Sequence, residues 1–215
     1  MEKLKENRAY IIITSIVVLI PMIAGIILWP QLPAQMATHF GKGGVANGWS
    51  SKGFAVFGIP LFCLAMHILC TFATILDPKQ KGIHNKMFKL ILLIVPAVSL
   101  VCGAAIYGYV LSPDTNMGIF VELFVYLLFI VIGNYLPKCR QNYTVGIKLP
   151  WTLADEENWN RTHRLTGWLW MFCGLFLMIH AFINVGGYQV LFAVFAVMIF
   201  LPIGYSLFYY LRHKK

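Results

Sequence analysis

Residues 10–29 read YIIITSIVVLIPMIAGIILW, twenty positions without a formal charge. As a helix rising 1.5 Å per residue they would extend about 30 Å, the thickness of a bilayer's hydrocarbon core. A membrane barrel strand would alternate polar and apolar side chains over about ten residues, and this stretch does not. Five more windows of the same kind follow, at 54–76, 90–111, 119–136, 167–184 and 188–211. Glu122 is the only formal charge in all six, and His67 and His180 are the only other titratable groups besides Cys and Tyr. The pattern predicts an all-α membrane protein, a six-transmembrane-helix bundle. Composition agrees: 12% of the 215 residues are charged, against about 25% in soluble domains.

With an even number of spans both termini share a side. That side collects fifteen of the seventeen Lys and Arg residues: Lys3, Lys5, Arg8, four lysines in 79–89, Lys138 to Arg164, Arg212, Lys214 and Lys215. Only Lys42 and Lys52 remain for the other side. Short cytoplasmic loops are the lysine- and arginine-rich ones, so both termini are expected in the cytoplasm. The net charge of +9 then reads as juxtamembrane clusters meeting anionic membrane lipids, with no direct nucleic-acid role. The first window ends in Trp29-Pro30 rather than a small-residue cleavage site, so it is expected to be retained. Cys63, Cys70, Cys102 and Cys173 lie in spans and Cys139 at the cytoplasmic edge, a distribution that offers neither a disulfide framework nor a C-x-x-C metal pair. No motif calls for a cofactor.

Two polar segments interrupt the apolar chain, an outer loop at 30–53 and a cytoplasmic loop at 137–166, whereas the connections 112–118 and 185–187 are short. In the outer loop Pro30 and Pro33 stop the first helix and 35–40 can extend as a strand. Gly41 to Gly48, with Asn47, supply turn chemistry. Trp49 suits the headgroup level and Lys52 can lie beside it. His39 is the loop's single imidazole. Glu122 and His180, each about one turn inside a span, reach the same side, so His39, Glu122 and His180 are weak metal candidates set against a plain interfacial role. His67, deeper in the second span, suits a neutral histidine hydrogen-bonded within the bundle.

The cytoplasmic loop contains GIKLPWTLADEENWNRTHRLTG at 146–167. Thr152 and Asp155 have capping-box spacing, which predicts a helix beginning after Trp151 with Asp155, Glu156 and Glu157 in its first turn. Glu157 and Arg161 have the favourable i,i+4 order. Trp159, Trp168 and Trp170 place rings around the cytoplasmic interface. An unbroken helix over residues 153–184 would be about 48 Å long, so it either bends near Gly167 or projects into the cytoplasm.

Gly146-Ile147-Lys148-Leu149-Pro150-Trp151-Thr152, followed by Trp159, Thr162-His163-Arg164 and Gly167, resembles the C-terminal signature of the SdpI-type bacterial membrane proteins. Gly133-Asn134-Tyr135 is similar to a further element of that family. Pro33, His39-Phe40, Gly44, Asn47-Gly48-Trp49 and Ser51-Lys52 look like the uncharacterised module that usually precedes the signature. Phe40 stands where the family often has Trp, and Asn47 where Asp is common. The resemblance implies two modules: 1–89, with two spans and the outer loop, and 90–215, with four spans and the cytoplasmic loop. It also implies an immunity protein acting against a secreted membrane-active peptide toxin and, as in the family's best-known member, the holding of a cytosolic repressor at the membrane once toxin is bound. On that reading His39, Asn47, Trp49, Glu122 and His180 face the toxin's side. Asn134, Lys148, Pro150, Trp151, Thr152, Trp159, Arg161, His163 and Arg164 form the cytoplasmic signature, which either docks a partner or locks the fifth helix at the interface. The alternative is a membrane-embedded enzyme using a metal or acid/base pair among His39, Glu122 and His180, although H-E-x-x-H and G-x-S-x-G are absent.

Overall fold

The computed structural model describes residues 2–41, 44–79, 82–112, 115–183 and 187–213. Of the topology-setting cations, Lys42, Lys81, Lys214 and Lys215 lie outside the described residues, as do parts of the connections 112–118 and 185–187. Helix α1 spans Glu2–Glu6, α2 Arg8–Val18 and α3 Ile20–Ile27, followed by the strands β1, Gln35–Phe40, and β2, Ala46–Ser51. A π-helical segment, Phe54–Gly58, leads into α4, Ile59–Ile75. Helices α5, Asn85–Leu111, α6, Met117–Tyr135, α7, Pro150–Ala154, α8, Glu156–Ile183, and α9, Gly187–His213, complete the chain. Among the described residues six stretches are long and apolar enough to cross a membrane: Arg8–Ile27, Phe54–Ile75, Asn85–Leu111, Met117–Lys138, Glu156–Ile183 and Gly187–His213. Pro96 and Pro202 sit inside uninterrupted helices.

Two compact units emerge, Met1–Ile75 with Phe88–Glu122, and Leu76–Met87 with Leu123–Lys215. In the first, the break between α2 and α3 follows from Pro21, which has no N–H to donate. Two side chains of α5 bring donors to carbonyls at the break: Ser99 Oγ to Val18 O at 2.8 Å, and Tyr107 Oη to Pro21 O at 2.8 Å. These bonds fasten α5 to the chain on both sides of the break. Strands β1 and β2 pair antiparallel, with Met36 opposite Ser50 and Ala37 opposite Trp49, and the register shifts past Thr38. The inner face of the hairpin places Met36 in a core with Leu32, Ala55, Val56, Ile106 and Tyr107.

In the second unit α6 and α8 touch backbone to backbone. A Cβ on Gly133 would stand 2.8 Å from Gly167 O, and one on Gly167 would stand 2.7 Å from Gly133 O. Only glycine at both positions allows that approach, the small-residue packing expected of membrane helices. Helix α8 runs through Gly167 without a break. Its 28 residues make about 42 Å.

The expected capping box is not the one that forms. Pro150, with its fixed φ, starts a short helix one residue before Trp151, and that helix ends at Asp155, whose backbone is extended. Asp155 then caps α8 itself: its Oδ1 accepts from Glu157 N at 2.8 Å and from Asn158 N at 3.2 Å. Thr152 serves the preceding turn, accepting from Leu149 N at 3.0 Å.

Candidate functional site

Two polar elements carry the residues singled out in the sequence. The first is the outward face of the hairpin. Alternation along β2 buries Ala46 and exposes Asn47, Trp49 and Ser51. His39 on β1 is exposed as well, and its Nδ1 lies 2.5 Å from Asn47 Oδ1, so imidazole and amide form one polar pair across the turn. Trp49 keeps 58% of its surface exposed. Lys52 donates to Trp29 O at 3.1 Å and sits 4.7 Å from the Trp29 ring centroid, an aromatic-cation pair suited to an interface. Glu122 is half-buried in the same unit, whereas His180, in the other unit, is stacked on Phe176. Among the described residues no three His, Cys, Asp or Glu side chains are grouped so as to hold a metal ion.

The second element is the loop at 139–149 with α7 and the start of α8. It is held from within. Trp159 is fully buried and its Nε1 donates to Cys139 O at 2.8 Å. His163 is stacked on Trp159 with ring centroids 3.9 Å apart. Its Nδ1 stands 2.7 Å from Trp159 O and its Nε2 accepts from Ile147 N at 3.0 Å, which assigns the hydrogen to Nδ1. The chain passes over these rings at Gly146, where φ is +118° and a Cβ would collide with His163 Nε2. Glycine is the residue that accepts that backbone conformation without strain. Thr152 donates to Ile147 O at 2.8 Å, and Trp151 Nε1 donates to Ser206 Oγ of α9 at 2.9 Å. Asn158 Nδ2 donates to Ser206 O at 3.0 Å, and Thr162 Oγ1 donates to Asn158 Oδ1 at 3.0 Å.

Thr152, Trp159 and His163 are thus interior residues. Five residues of the signature stay exposed: Asn134, Lys148, Pro150, Arg161 and Arg164. Two exposed cations are engaged locally. Arg161 donates to Glu157 Oε1 at 2.9 and 2.7 Å and lies over the Tyr209 ring, and Lys148 Nζ donates to Thr144 O at 3.1 Å.

Sequence reasoning passed over the residues that fasten this loop. Asp77, buried, accepts from Lys79 N at 2.7 Å, from Tyr143 N at 2.8 Å and from Thr144 Oγ1 at 2.6 Å. Asn142 Oδ1 accepts from Thr144 N at 2.9 Å and Val145 N at 2.7 Å, while Gln141 Nε2 donates to Thr152 O and Leu153 O. The signal for Asp77 was its isolation as the only carboxylate in a lysine-rich connection at 76–89. All five cysteines are free thiols, and burial pushes the Cys139 thiol up, away from a reactive thiolate.

Residues 138–206, which contain this second element, match the SdpI/YfhL protein family. Residues 16–64, which contain the hairpin, match a domain of unknown function, DUF1648. The chain is 27% identical over 209 residues to the immunity protein SdpI of Bacillus subtilis (strain 168), an alignment covering 95% of this chain and 96% of that one. No solved structure matches. By these matches the chain is similar to the SdpI-type proteins, with a region like DUF1648 ahead of a region like SdpI, and its six long apolar helices are those of a multi-pass membrane protein.

Proposed function

We propose that this protein is an immunity factor of the bacterial cell membrane, protecting the cell that makes it against a secreted membrane-active peptide toxin. The observation that carries the reading is the end-to-end similarity to an immunity protein, which includes both polar elements rather than the spans alone. The role needs binding and no turnover, so the protein acts without catalysis.

Both termini are cytoplasmic on this proposal, in keeping with the distribution of Lys and Arg. Residues 1–89 form a module whose hairpin meets toxin in the outer leaflet, through His39, Asn47 and Trp49, with Glu122 and His180 on the same side. Residues 90–215 form the module carrying the cytoplasmic signature. There the interior residues Thr152, Trp159 and His163, with the half-buried Trp151, set the shape of the loop, and Asn134, Lys148, Pro150, Arg161 and Arg164 offer the outward surface. A cytosolic repressor is the partner for that surface, and anionic lipids border it.

Expression in a toxin-sensitive strain tests the proposal. Growth in the presence of a secreted membrane-active peptide is the expected result. Failure to protect against every peptide of a panel, with the protein verified in the membrane fraction, would overturn it.

A further inference from the structure

Helices α2 and α4 of the first unit carry polar side chains toward each other. Thr14 Oγ1 lies 3.2 Å from His67 Nε2. Seven residues nearer the start of the chain stands Asn7, and seven residues further along α4 stands Thr74. Seven residues make about 10.5 Å of rise and return a side chain to within about 20° of the same helix face. Helical hydrogen bonding continues through Asn7, whose N donates to Lys3 O and whose O accepts from Ile11 N. Successive spans run antiparallel, so the two steps lead in one direction, with Thr71 between His67 and Thr74. Asn7, Thr14, His67, Thr71 and Thr74 are each at most 4% exposed.

Donors and acceptors in this seam do not balance. Thr71 donates to His67 O at 2.7 Å, Thr74 to Cys70 O at 2.7 Å and Thr14 to Tyr10 O at 2.8 Å. Each hydroxyl proton is therefore committed to its own helix, leaving oxygen lone pairs as acceptors. With the Thr14 proton committed, His67 Nε2 is the donor to Thr14, and Nδ1 becomes a further acceptor. Asn7 Nδ2 donates to Lys3 O at 3.1 Å, but nothing donates to Asn7 Oδ1. Among the described residues it is the one buried side-chain oxygen or nitrogen without a hydrogen-bond partner. Native proteins rarely leave such an atom unsatisfied.

The group that fits is small and carries two hydrogens to donate. A metal cation does not fit, because none of the five seam side chains is a carboxylate, and at the Asn7 end Lys3, Lys5 and Arg8 outnumber Glu2 and Glu6. We propose that the α2–α4 seam binds water, seated against Asn7 Oδ1, so that a hydrated polar path leads from the α1–α2 junction to His67 in mid-span. A polar site with several partners is where buried water is retained. His67 then exchanges its ring proton with solvent through that end.

The test uses full-length protein, labelled with ¹⁵N-histidine, in lipid nanodiscs, and follows exchange of the His67 Nε2 hydrogen with bulk water. Exchange should slow about tenfold in Asn7→Leu and in the near-isosteric Thr74→Val. Unchanged exchange in variants that unfold cooperatively would overturn the proposal, and if Asn7→Leu does not fold, Thr74→Val decides alone. A higher Tm for Asn7→Leu would also overturn it, because replacing an unsatisfied amide in a dry site stabilises. So would a high-resolution experimental map with no solvent peak within hydrogen-bonding distance of Asn7 Oδ1.

Discussion

The hairpin and the cytoplasmic element hold their characteristic residues in opposite ways. His39, Asn47 and Trp49 stand exposed on a two-stranded sheet whose other face supplies the core. Trp159, His163 and Thr152 are consumed in holding a loop onto α8, and only their neighbours reach the surface. A residue that marks a family therefore need not be one that touches its ligand. In the first element substitutions should alter recognition while sparing the fold, and in the second they should alter the fold first.

The sharpest break of that contrast is Gly146→Val. A β-branched side chain in left-handed backbone, driven into His163 and Trp159, should cost about 3 kcal/mol or more, read as a collapse in Tm and in membrane-fraction yield. Next comes Asp77→Asn, which turns an amide group either toward Lys79 N or toward Tyr143 N and Thr144 Oγ1, since both carboxylate oxygens accept from a backbone N–H. Leaving such a donor unpaired should cost about 2 kcal/mol, measured by thermal unfolding in detergent and by faster hydrogen exchange over residues 140–147. Trp49→Ala should leave Tm within about 0.5 kcal/mol of wild type and reduce protection in the growth assay. A large loss of stability there would dissolve the distinction between the two elements. Smallest is Arg161→Ala, because its partner Glu157 is solvent-exposed. Screening by water should leave Tm unmoved, so any phenotype would be read as lost contact with a partner.

The six spans were legible because the bilayer imposes a length and an apolarity that stand out in any window of twenty residues. A strand does stand at 35–40, but Asn47 and Gly48, expected among the turn residues, lie in the strand β2, and positions 42 and 43 fall outside the described residues. The start of α8 was misplaced because two rules competed. Thr152-x-x-Asp155 satisfied a capping pattern, but Pro150 had already begun a turn, leaving Asp155 as the cap. The interior character of Trp159 and His163 had no local signature at all. It depends on Gly146 and Ile147 folding back across α8, and on Asp77 reaching Tyr143, 66 residues away. Ser206 is a polar residue in an apolar span, and nothing in its vicinity indicates that Trp151 and Asn158 converge on it.

The cysteines bear on how this chain can be interrogated. Four lie within the apolar spans, and the fifth, Cys139, is buried with its thiol held protonated. Thiolate is the species that reacts with maleimides, so the natural protein offers a quiet background to an impermeant reagent. A single cysteine introduced at the exposed positions Trp49 or Tyr143 becomes an address label. Its modification from one side of intact cells reports which compartment each polar element occupies, without first stripping the native thiols.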